Sequence, residues 1–290
     1  MRYSVITLTF NKLAVTRRCL TALLRDTVSD APWELLVVDN GSSDGTPHWI
    51  VDELVPHAAT RGVPVRLLRN AENVGCSTAR NQGIAAAAGT FLIFMDNDVA
   101  PRTRAWLPRL REAVERAPDI GMAGPKLVYP TPDATIQCAG VGISRRGHVC
   151  FRGRGQPHDA PAFATDTDVQ CLISACLMLR ADLTRQHGGF DPIFHPVQFE
   201  DFDLCYRLRE AGWRAVYSPA AEMYHFESTT TQGSPGRNNA ATVIRNGLAF
   251  QNRWRHLFEA EDGPSEAACR WLRLPPLPPL ETIPAPLPLL

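Results

Sequence analysis

Short apolar runs alternate with amphipathic stretches through the first hundred residues. Runs rich in β-branched and aromatic side chains predict strands at residues 3–9, 33–38, 63–69 and 91–95. Apolar residues at helical spacing predict helices over 12–24, about 47–55 and 80–88. Strands that alternate with helices are typical of a parallel sheet with right-handed crossovers. We therefore expect residues 1–100 to form a doubly wound α/β unit.

The rest of the chain has a less regular pattern and divides into two further parts. Residues 101–262 predict a smaller region of mixed helices and strands. Its predicted helices are 105–117, 180–187 and 200–211, and its predicted strands are 121–129, 169–179 and 214–217. A hairpin with a long loop is predicted over 136–164. Residues 263–290 are rich in proline, and from Leu274 they predict an extended tail without regular structure.

Two carboxylates follow the most apolar of the predicted strands. Asp96 and Asp98 come directly after Met95, at positions i and i+2. In a parallel sheet the ligand crevice lies at the carboxyl ends of the strands. Oxygen ligands suit Mg²⁺ or Mn²⁺, so these two side chains are candidates for a metal site. The alternative is that they only open a turn and cap a helix that begins at Pro101.

Polar side chains also follow the other predicted strands, as Thr9, Asn11, Asp39 and Asn73. Such groups on one sheet edge are typical of a nucleotide site. Asp39 can accept a hydrogen bond from a nucleobase or a ribose hydroxyl. Arg80, at the predicted start of a helix, can bind a diphosphate. The alternatives are a turn-forming role for Asp39 and a solvated helix cation for Arg80.

A second acidic group opens the predicted helix over 200–211. Glu200, Asp201 and Asp203 lie in its first turn, where the helix dipole stabilises negative charge. The dipole accounts for one or two of them, whereas three adjacent carboxylates indicate a cation or a proton transfer nearby. His225 follows a later strand, and a lone histidine is more often structural than a ligand.

Composition and missing motifs exclude several classes of protein. The chain has neither a Gly-x-Gly-x-x-Gly fingerprint, nor a P-loop, nor a Gly-x-Ser-x-Gly elbow. Its net charge of zero argues against a nucleic-acid partner. The eight cysteines lack zinc-site spacing, no apolar run reaches the length of a membrane span, and no signal peptide is evident. We expect a reduced, cytoplasmic protein.

Several separate stretches together resemble the family 2 glycosyltransferases. These are inverting enzymes of the nucleotide-sugar (GT-A) fold, and the chain is most similar to their rhamnosyltransferase-like bacterial members. The resemblance covers about residues 1–230 and departs at Leu8, where many members have proline. It rests on residues 4–11, 36–46, 73–83, 94–98, 188–191, 199–204 and 224–225.

The resemblance implies a role for each candidate residue. Residues 1–100 would form the nucleotide-sugar-binding half and residues 101–262 the acceptor-binding, catalytic half of one GT-A domain. Asp201 would be the general base, with Glu200 beside it as helper or acceptor anchor. Asp98 would bind the metal directly, Asp96 would lie nearer the ribose and the metal, and His225 would be a further metal ligand. The donor would be held by Thr9, Asn11, Asp39, Asn73, Arg80, Asp96 and Asn97.

The implied reaction transfers a sugar from a nucleotide-diphosphate sugar to a hydroxyl of a glycan or lipid-linked acceptor. The donor would be, for example, dTDP-rhamnose or a UDP-hexose, and the cofactor would be Mn²⁺ or Mg²⁺. One alternative is a non-catalytic nucleotide-sugar-binding module. Another is a sugar nucleotidyltransferase, although the loop after the first strand supplies only Lys12 for gripping phosphates.

A basic and aromatic group near the C-terminus suits peripheral contact with an anionic membrane, at its inner face, or with a lipid diphosphate. The alternative, which we favour, is an amphipathic helix that packs on the domain. The group comprises Arg237, Arg245, Arg253, Arg255, Trp254, Leu257 and Phe258.

Overall fold

The computed structural model describes residues 2–226 and 240–284. Its first half is built on parallel strands in the order β3-β2-β1-β4, as the alternating pattern predicts. β1, β2 and most of β4 are buried on both faces, which explains their continuous apolar runs. The strands are β1 (Tyr3–Thr9), β2 (Trp33–Asp39), β3 (Val65–Arg69) and β4 (Phe91–Asp96).

Helices connect these strands and confirm the doubly wound prediction. They are α1 (Leu13–Asp26), α2 (Thr46–Trp49) continuing through a π-helical turn (Ile50–Leu54) into α3 (Val55–Ala59), and α4 (Cys76–Ala86). The predicted start of α4 was wrong, because the helix begins before Arg80. The Cys76 N–H donates to the carbonyl of Pro196 at 2.8 Å, a contact with a remote segment. Arg80 therefore lies more than one turn inside the helix.

The second half extends the same sheet with mixed strand directions. β11 is antiparallel to β4, and the order continues β11-β6-β12-β10. β5 pairs with β12 and β7 pairs with β6, while β8 and β9 form the predicted hairpin. The strands are β5 (Val99–Pro101), β6 (Ile120–Val128), β7 (Ile136–Cys138), β8 (Val141–Ile143), β9 (Val149–Phe151), β10 (Thr167–Val169), β11 (Cys176–Arg180) and β12 (Arg214–His225).

The remaining helices cover this half of the sheet. They are α5 (Trp106–Glu115), α6 (Ala181–His187), α7 (Glu200–Glu210) and α8 (Ala240–Phe258). In the part of the chain that the structure describes, no helix has both the length and the apolar character to cross a bilayer.

Three predicted elements of this half are corrected. The predicted strand over 169–179 is two strands, β10 and β11, which lie at different places in the sheet. Pro101 ends β5 instead of beginning a helix. β12 continues past residue 217 to His225, because an irregularity in its pairing between Ser218 and Glu222 accommodates Pro219.

The C-terminal tail is also more ordered than its composition predicts. It contains a 3₁₀ turn, Leu280–Thr282, and the side chain of Ile283 is buried against the domain. The predicted absence of regular structure is therefore wrong for this turn.

A buried ionic cluster braces β12 close to its carboxyl end. Glu222 accepts from Arg102 Nη1 at 2.6 Å and from Lys126 Nζ at 3.1 Å, and all three side chains are buried. Arg102 follows β5 and Lys126 lies on β6, so the carboxylate links β12 to two of the three strands that pair with it. Two buried cations share this one carboxylate, so the cluster depends on Glu222.

We expect Glu222→Ala to lower the free energy of unfolding by about 3–5 kcal/mol, because it leaves two buried cations without their carboxylate. The matched control is Glu53→Ala, whose ion pair with Arg17 is half exposed (53% and 56%), and which should cost no more than about 1 kcal/mol. Urea unfolding of both variants measures the difference. Equal losses would show that the cluster contributes no more than a surface pair.

Candidate active site

The predicted site residues of the first half gather at one edge of the sheet. Thr9 pairs with Asp39 across β1 and β2, and Leu8 pairs with Asp96 across β1 and β4. The carboxyl ends of these parallel strands therefore bring Asp39 and Asp96 to the same edge. β12 delivers His225 to this edge through its pairing with β5.

Asp96, Asp98 and His225 form a cluster with the geometry of a metal site. Their candidate ligand atoms all lie within 4.8 Å of one another, and Asp98 Oδ1 is 3.5 Å from His225 Nε2. Gln137 Oε1 lies 3.3 Å from His225 Nδ1 and can fix the orientation of the imidazole ring. Two carboxylates and an imidazole nitrogen fit a divalent cation, and the nitrogen favours a transition-metal ion such as Mn²⁺ over Mg²⁺.

Arg80 lies beneath this edge and joins two carboxylates from different parts of the chain. Its Nη1 donates to Glu200 Oε1 at 2.8 Å and its Nη2 to Asp96 Oδ1 at 2.9 Å. The guanidinium also lies 5.3 Å from the ring centroid of Phe190. Arg80 and Glu200 are buried, whereas Asp96 is partly open to solvent. The guanidinium is thus a buried link, not a solvated helix cation.

The acidic pair at the start of α7 lies on the other side of Arg80. Burial, reinforced by the charge of Asp201, raises the pKa of Glu200 to about 7. Burial also raises the pKa of Asp201. Asp201 Oδ2 accepts from the Ser174 N–H at 3.0 Å and its Oδ1 accepts from the Phe202 N–H at 2.9 Å. Asp201 is thereby held in place while remaining partly exposed at the site edge.

Asp203, the third carboxylate of this turn, has a structural environment. It is fully buried and accepts hydrogen bonds from Arg207, Arg253 and Trp254 at 2.8, 2.8 and 3.0 Å. Its charge is neutralised inside the domain, so only Glu200 and Asp201 belong to the site.

Asp39 has the environment expected of a ligand-binding carboxylate. Its Oδ2 accepts from the Ser42 N–H at 3.3 Å, whereas its Oδ1 is buried and has no hydrogen-bond partner within residues 2–226 and 240–284. A buried acceptor without a donor costs about 1–3 kcal/mol. A nucleoside N–H or O–H donor would remove that cost.

The other predicted donor-binding residues make hydrogen bonds within the chain. Asn97 Nδ2 donates to Thr16 Oγ1 at 2.6 Å and lies 3.4 Å from Thr9 Oγ1. Asn11 Oδ1 accepts from the Ser43 N–H at 2.8 Å, and Asn73 Oδ1 accepts from the Gly75 N–H at 3.0 Å. These side chains shape the loops around the site.

Several residues that support the site were not singled out from the sequence. Asn40 accepts from the Val74 N–H and donates to Asn73, which ties two loops of the nucleotide edge together. Thr16, Gln137 and Ser174 contact predicted site residues from distant elements. Asn40 had a local signal, since it directly follows Asp39, whereas the other contacts depend on tertiary structure.

The basic and aromatic group near the C-terminus is largely engaged in packing. Arg253 and Trp254 bind Asp203, and Phe258 is buried in the core. Arg245 donates to the carbonyl of His195. Arg237 lies outside the described residues. These contacts agree with the packing alternative for α8.

The arrangement can therefore bind a metal-bound anion beside a positioned carboxylate. The candidate metal cluster and Asp39 provide a surface for a charged, polar ligand. Asp201 is a carboxylate that could accept a proton, and the Arg80–Glu200 pair beside it is joined to the cluster through Asp96.

Comparison with known proteins identifies relatives over most of the chain. The sequence model of Glycosyl transferase family 2 matches residues 4–188, more than half of the chain. N-acetylglucosaminyl-diphospho-decaprenol L-rhamnosyltransferase of Mycobacterium tuberculosis is 31% identical over 240 residues, which is 73% of this chain and 73% of that relative. The uncharacterized protein y4gI of Sinorhizobium fredii is 30% identical over 258 residues, 87% of this chain. The chain spans only 27% of the length of y4gI.

Solved structures agree on the fold. The mannosyltransferase PcManGT of Pyrobaculum calidifontis, determined with GDP-Man and Mn²⁺, superimposes with a TM-score of 0.59 at 19% identity. The match covers 91% of this chain and 66% of that chain. The likeness confirms the predicted GT-A fold.

We expect Arg80→Met to lower the free energy of unfolding by about 3–5 kcal/mol at pH 8, because it leaves the buried Glu200 and the partly buried Asp96 without their cation. The loss should be smaller at pH 5. The pKa of Glu200 is already raised above its ordinary value of 4.5. Protonation of Glu200 therefore stabilises the folded state at low pH, and this contribution is lost as the pH rises through the folded-state pKa. The guanidinium of Arg80 lowers the pKa of Glu200. Removing it therefore raises this pKa further and makes the stability depend more strongly on pH.

Urea unfolding at the two pH values measures this dependence. The control is Arg116→Met, whose ion pair with Asp166 is 47% exposed on the arginine side and should contribute at most about 1 kcal/mol. A loss for Arg80→Met that is independent of pH would contradict the buried charge link.

Proposed function

The chain is a member of glycosyl transferase family 2, and we propose that it is an inverting, metal-dependent enzyme that transfers a sugar from a nucleotide-diphosphate sugar to a hydroxyl of a glycan or lipid-linked acceptor. The observation that carries the proposal is the joint placement of two groups at one sheet edge. The cluster of Asp96, Asp98 and His225 has its ligand atoms within 4.8 Å of one another. Asp201 lies beside the buried Arg80–Glu200 pair that contacts this cluster.

The nucleotide half of the donor would bind along the ends of β1, β2 and β4. Asp39 would accept from the nucleoside through its unpartnered oxygen, and Asp96 and Asp98 with His225 would hold the divalent cation. When bound, the cation stabilises the negative charge that develops on the leaving diphosphate. PcManGT was determined with Mn²⁺, which supports Mn²⁺ as the ion to test first.

Asp201 would act as the general base. An acceptor hydroxyl is too weak an acid to lose its proton at neutral pH, so a carboxylate must accept the proton as the hydroxyl oxygen attacks. The oxygen forms a bond to C1 of the sugar while the bond from C1 to the diphosphate oxygen breaks. The proton goes to Asp201, the electron pair leaves with the nucleoside diphosphate, and one displacement inverts the anomeric centre.

Arg80 would contribute by positioning. Its guanidinium is occupied by Asp96 and Glu200, so it holds the metal side and the base side of the site at a set separation. This refines the role that the family resemblance implied, because a direct contact with the diphosphate would require the guanidinium to leave one of these carboxylates.

The acceptor remains a proposal drawn from one relative. The name of the rhamnosyltransferase of Mycobacterium tuberculosis includes diphospho-decaprenol. From this relative we propose an acceptor of the lipid-linked class for this chain. On the same ground, we propose a rhamnosyl group as the preferred donor sugar.

A catalytic role is favoured over a binding module because Asp201 is held by Ser174 at the site edge. A module that only binds the donor has no need of a positioned base. A nucleotidyltransferase is disfavoured because Lys12 is the sole lysine or arginine between Phe10 and Thr16.

Calorimetric titration of UDP, dTDP and GDP, each with Mn²⁺ and with chelator, tests the site. We expect metal-dependent binding of one nucleotide that is lost in Asp98→Ala, because this change removes a metal ligand. Asp201→Asn should retain nucleotide binding and lose transfer activity by about 10²–10⁴-fold, because it removes the base but not the donor site.

Asp168→Asn is the control for a change of carboxylate charge, since Asp168 is an exposed residue paired with Arg214 at the far edge of the sheet. Absence of binding for every nucleotide would overturn the proposal. Metal-dependent nucleotide binding without transfer to any tested acceptor, unchanged in Asp201→Asn, would favour the binding module.

A further inference from the structure

A segment near the C-terminus packs directly behind the candidate metal cluster. Leu277, Leu280 and Ile283 contact a small apolar cluster that is separate from the main core. Ile283 is itself a buried member of this cluster. The other buried members come from α1, from β5 and from the residue after β12: they are Val15, Cys19, Ala22, Ala100 and Phe226. The segment therefore packs against β5 and Phe226, which directly follow the candidate ligands Asp98 and His225 in the chain.

Arg18 fastens the segment to the domain. Its Nη1 donates to the carbonyl of Leu280 at 2.5 Å and its Nη2 donates to the carbonyl of Ile283. The same guanidinium lies 5.6 Å from the ring centroid of Phe226. One side chain of α1 thus contacts both the C-terminal segment and the residue that follows His225.

Phe226 connects this packing to the metal ligands. Its N–H donates to the carbonyl of Asp98 at 2.9 Å, and its ring is fully buried in the small cluster. Next to it, His225 pairs with Val99 in the ladder between β12 and β5. Asp98 and His225 are therefore held together by backbone contacts whose outer side is covered by the C-terminal segment.

We propose that residues 277–283 are a positioning segment for the metal site, acting through Phe226 on Asp98 and His225. The inference rests on the proposed function, because it concerns the affinity of the same metal cluster. Residues that orient metal ligands without touching the ion commonly change metal affinity 10–100-fold when they are replaced. Since this segment acts through packing and backbone contacts, we expect the lower end of that range.

The test is Mn²⁺ binding to the full chain and its variants, followed by the electron paramagnetic resonance signal of free Mn²⁺. Removal of residues 277–290 and the single change Ile283→Ala should each weaken Mn²⁺ binding, by about tenfold for the removal. Ile283→Val should restore most of the affinity, because it keeps a β-branched apolar side chain in the cluster.

Two controls separate this role from general stabilisation. Arg18→Met should weaken Mn²⁺ binding, whereas Arg17→Met should not, since the neighbouring Arg17 pairs with Glu53 on the surface. Trp271→Ala should also leave Mn²⁺ binding unchanged. Trp271 anchors the same C-terminal region elsewhere, against Phe151.

Each variant is compared below its own melting transition, as followed by circular dichroism, so that unfolding does not contribute. Asp98→Ala separates the two proposals. If it abolishes Mn²⁺ binding while the truncation and Arg18→Met bind as tightly as the unaltered chain, the positioning role is wrong and the metal site stands. If Asp98→Ala binds Mn²⁺ unchanged, both proposals fail.

Discussion

The site depends on one buried guanidinium. Arg80 lies between Asp96 on β4 and Glu200 on α7, and its hydrogen bonds to them are 2.9 and 2.8 Å long. A buried charge that loses its partner is costly, so any shift between the two halves of the domain would be opposed by this link. The guanidinium therefore sets how far the metal cluster stands from the acidic pair. Electrostatic groups that are fixed before the substrate arrives need not reorganise during the reaction, which is the advantage of such an arrangement.

Much of the first half could be predicted because three of its four strands, β1, β2 and most of β4, are buried on both faces. A strand in that position must be apolar throughout, and the polar residues that follow it mark where it reaches the sheet edge. Asp39, Asp96 and Asp98 were found in this way, and the structure gathers them at one edge. Contacts between distant segments could not be predicted. The start of α4 depends on the carbonyl of Pro196, and Glu200, one of the two carboxylate partners of Arg80, is 120 residues away.

The C-terminal region shows where composition misled the prediction. Proline content indicated an extended tail, and proline does prevent a long helix there. Leu277, Leu280 and Ile283 nevertheless recur every three residues, which places them on one side of a chain with three residues per turn. That spacing allows a proline-rich segment to bury an apolar face, as these residues do against Phe226 and α1. A search for a period of three, in addition to those of strands and helices, would have found the signal.

Hydrogen-bond satisfaction divides the predicted donor-binding residues into two kinds. Thr9, Asn11 and Asn97 have partners within the chain, so their polar groups already contribute to the fold. Asp39 differs, because one of its buried oxygens has no partner in the described residues. Sequence motifs cannot separate these kinds, since both occupy the same strand ends. The folded domain gains stability from the first kind, whereas it bears a cost for the second that a donor group of a bound ligand would remove. By this criterion Asp39, rather than its neighbours at the strand ends, has the environment of a ligand-binding residue, which supports the nucleoside-binding role that we propose for it.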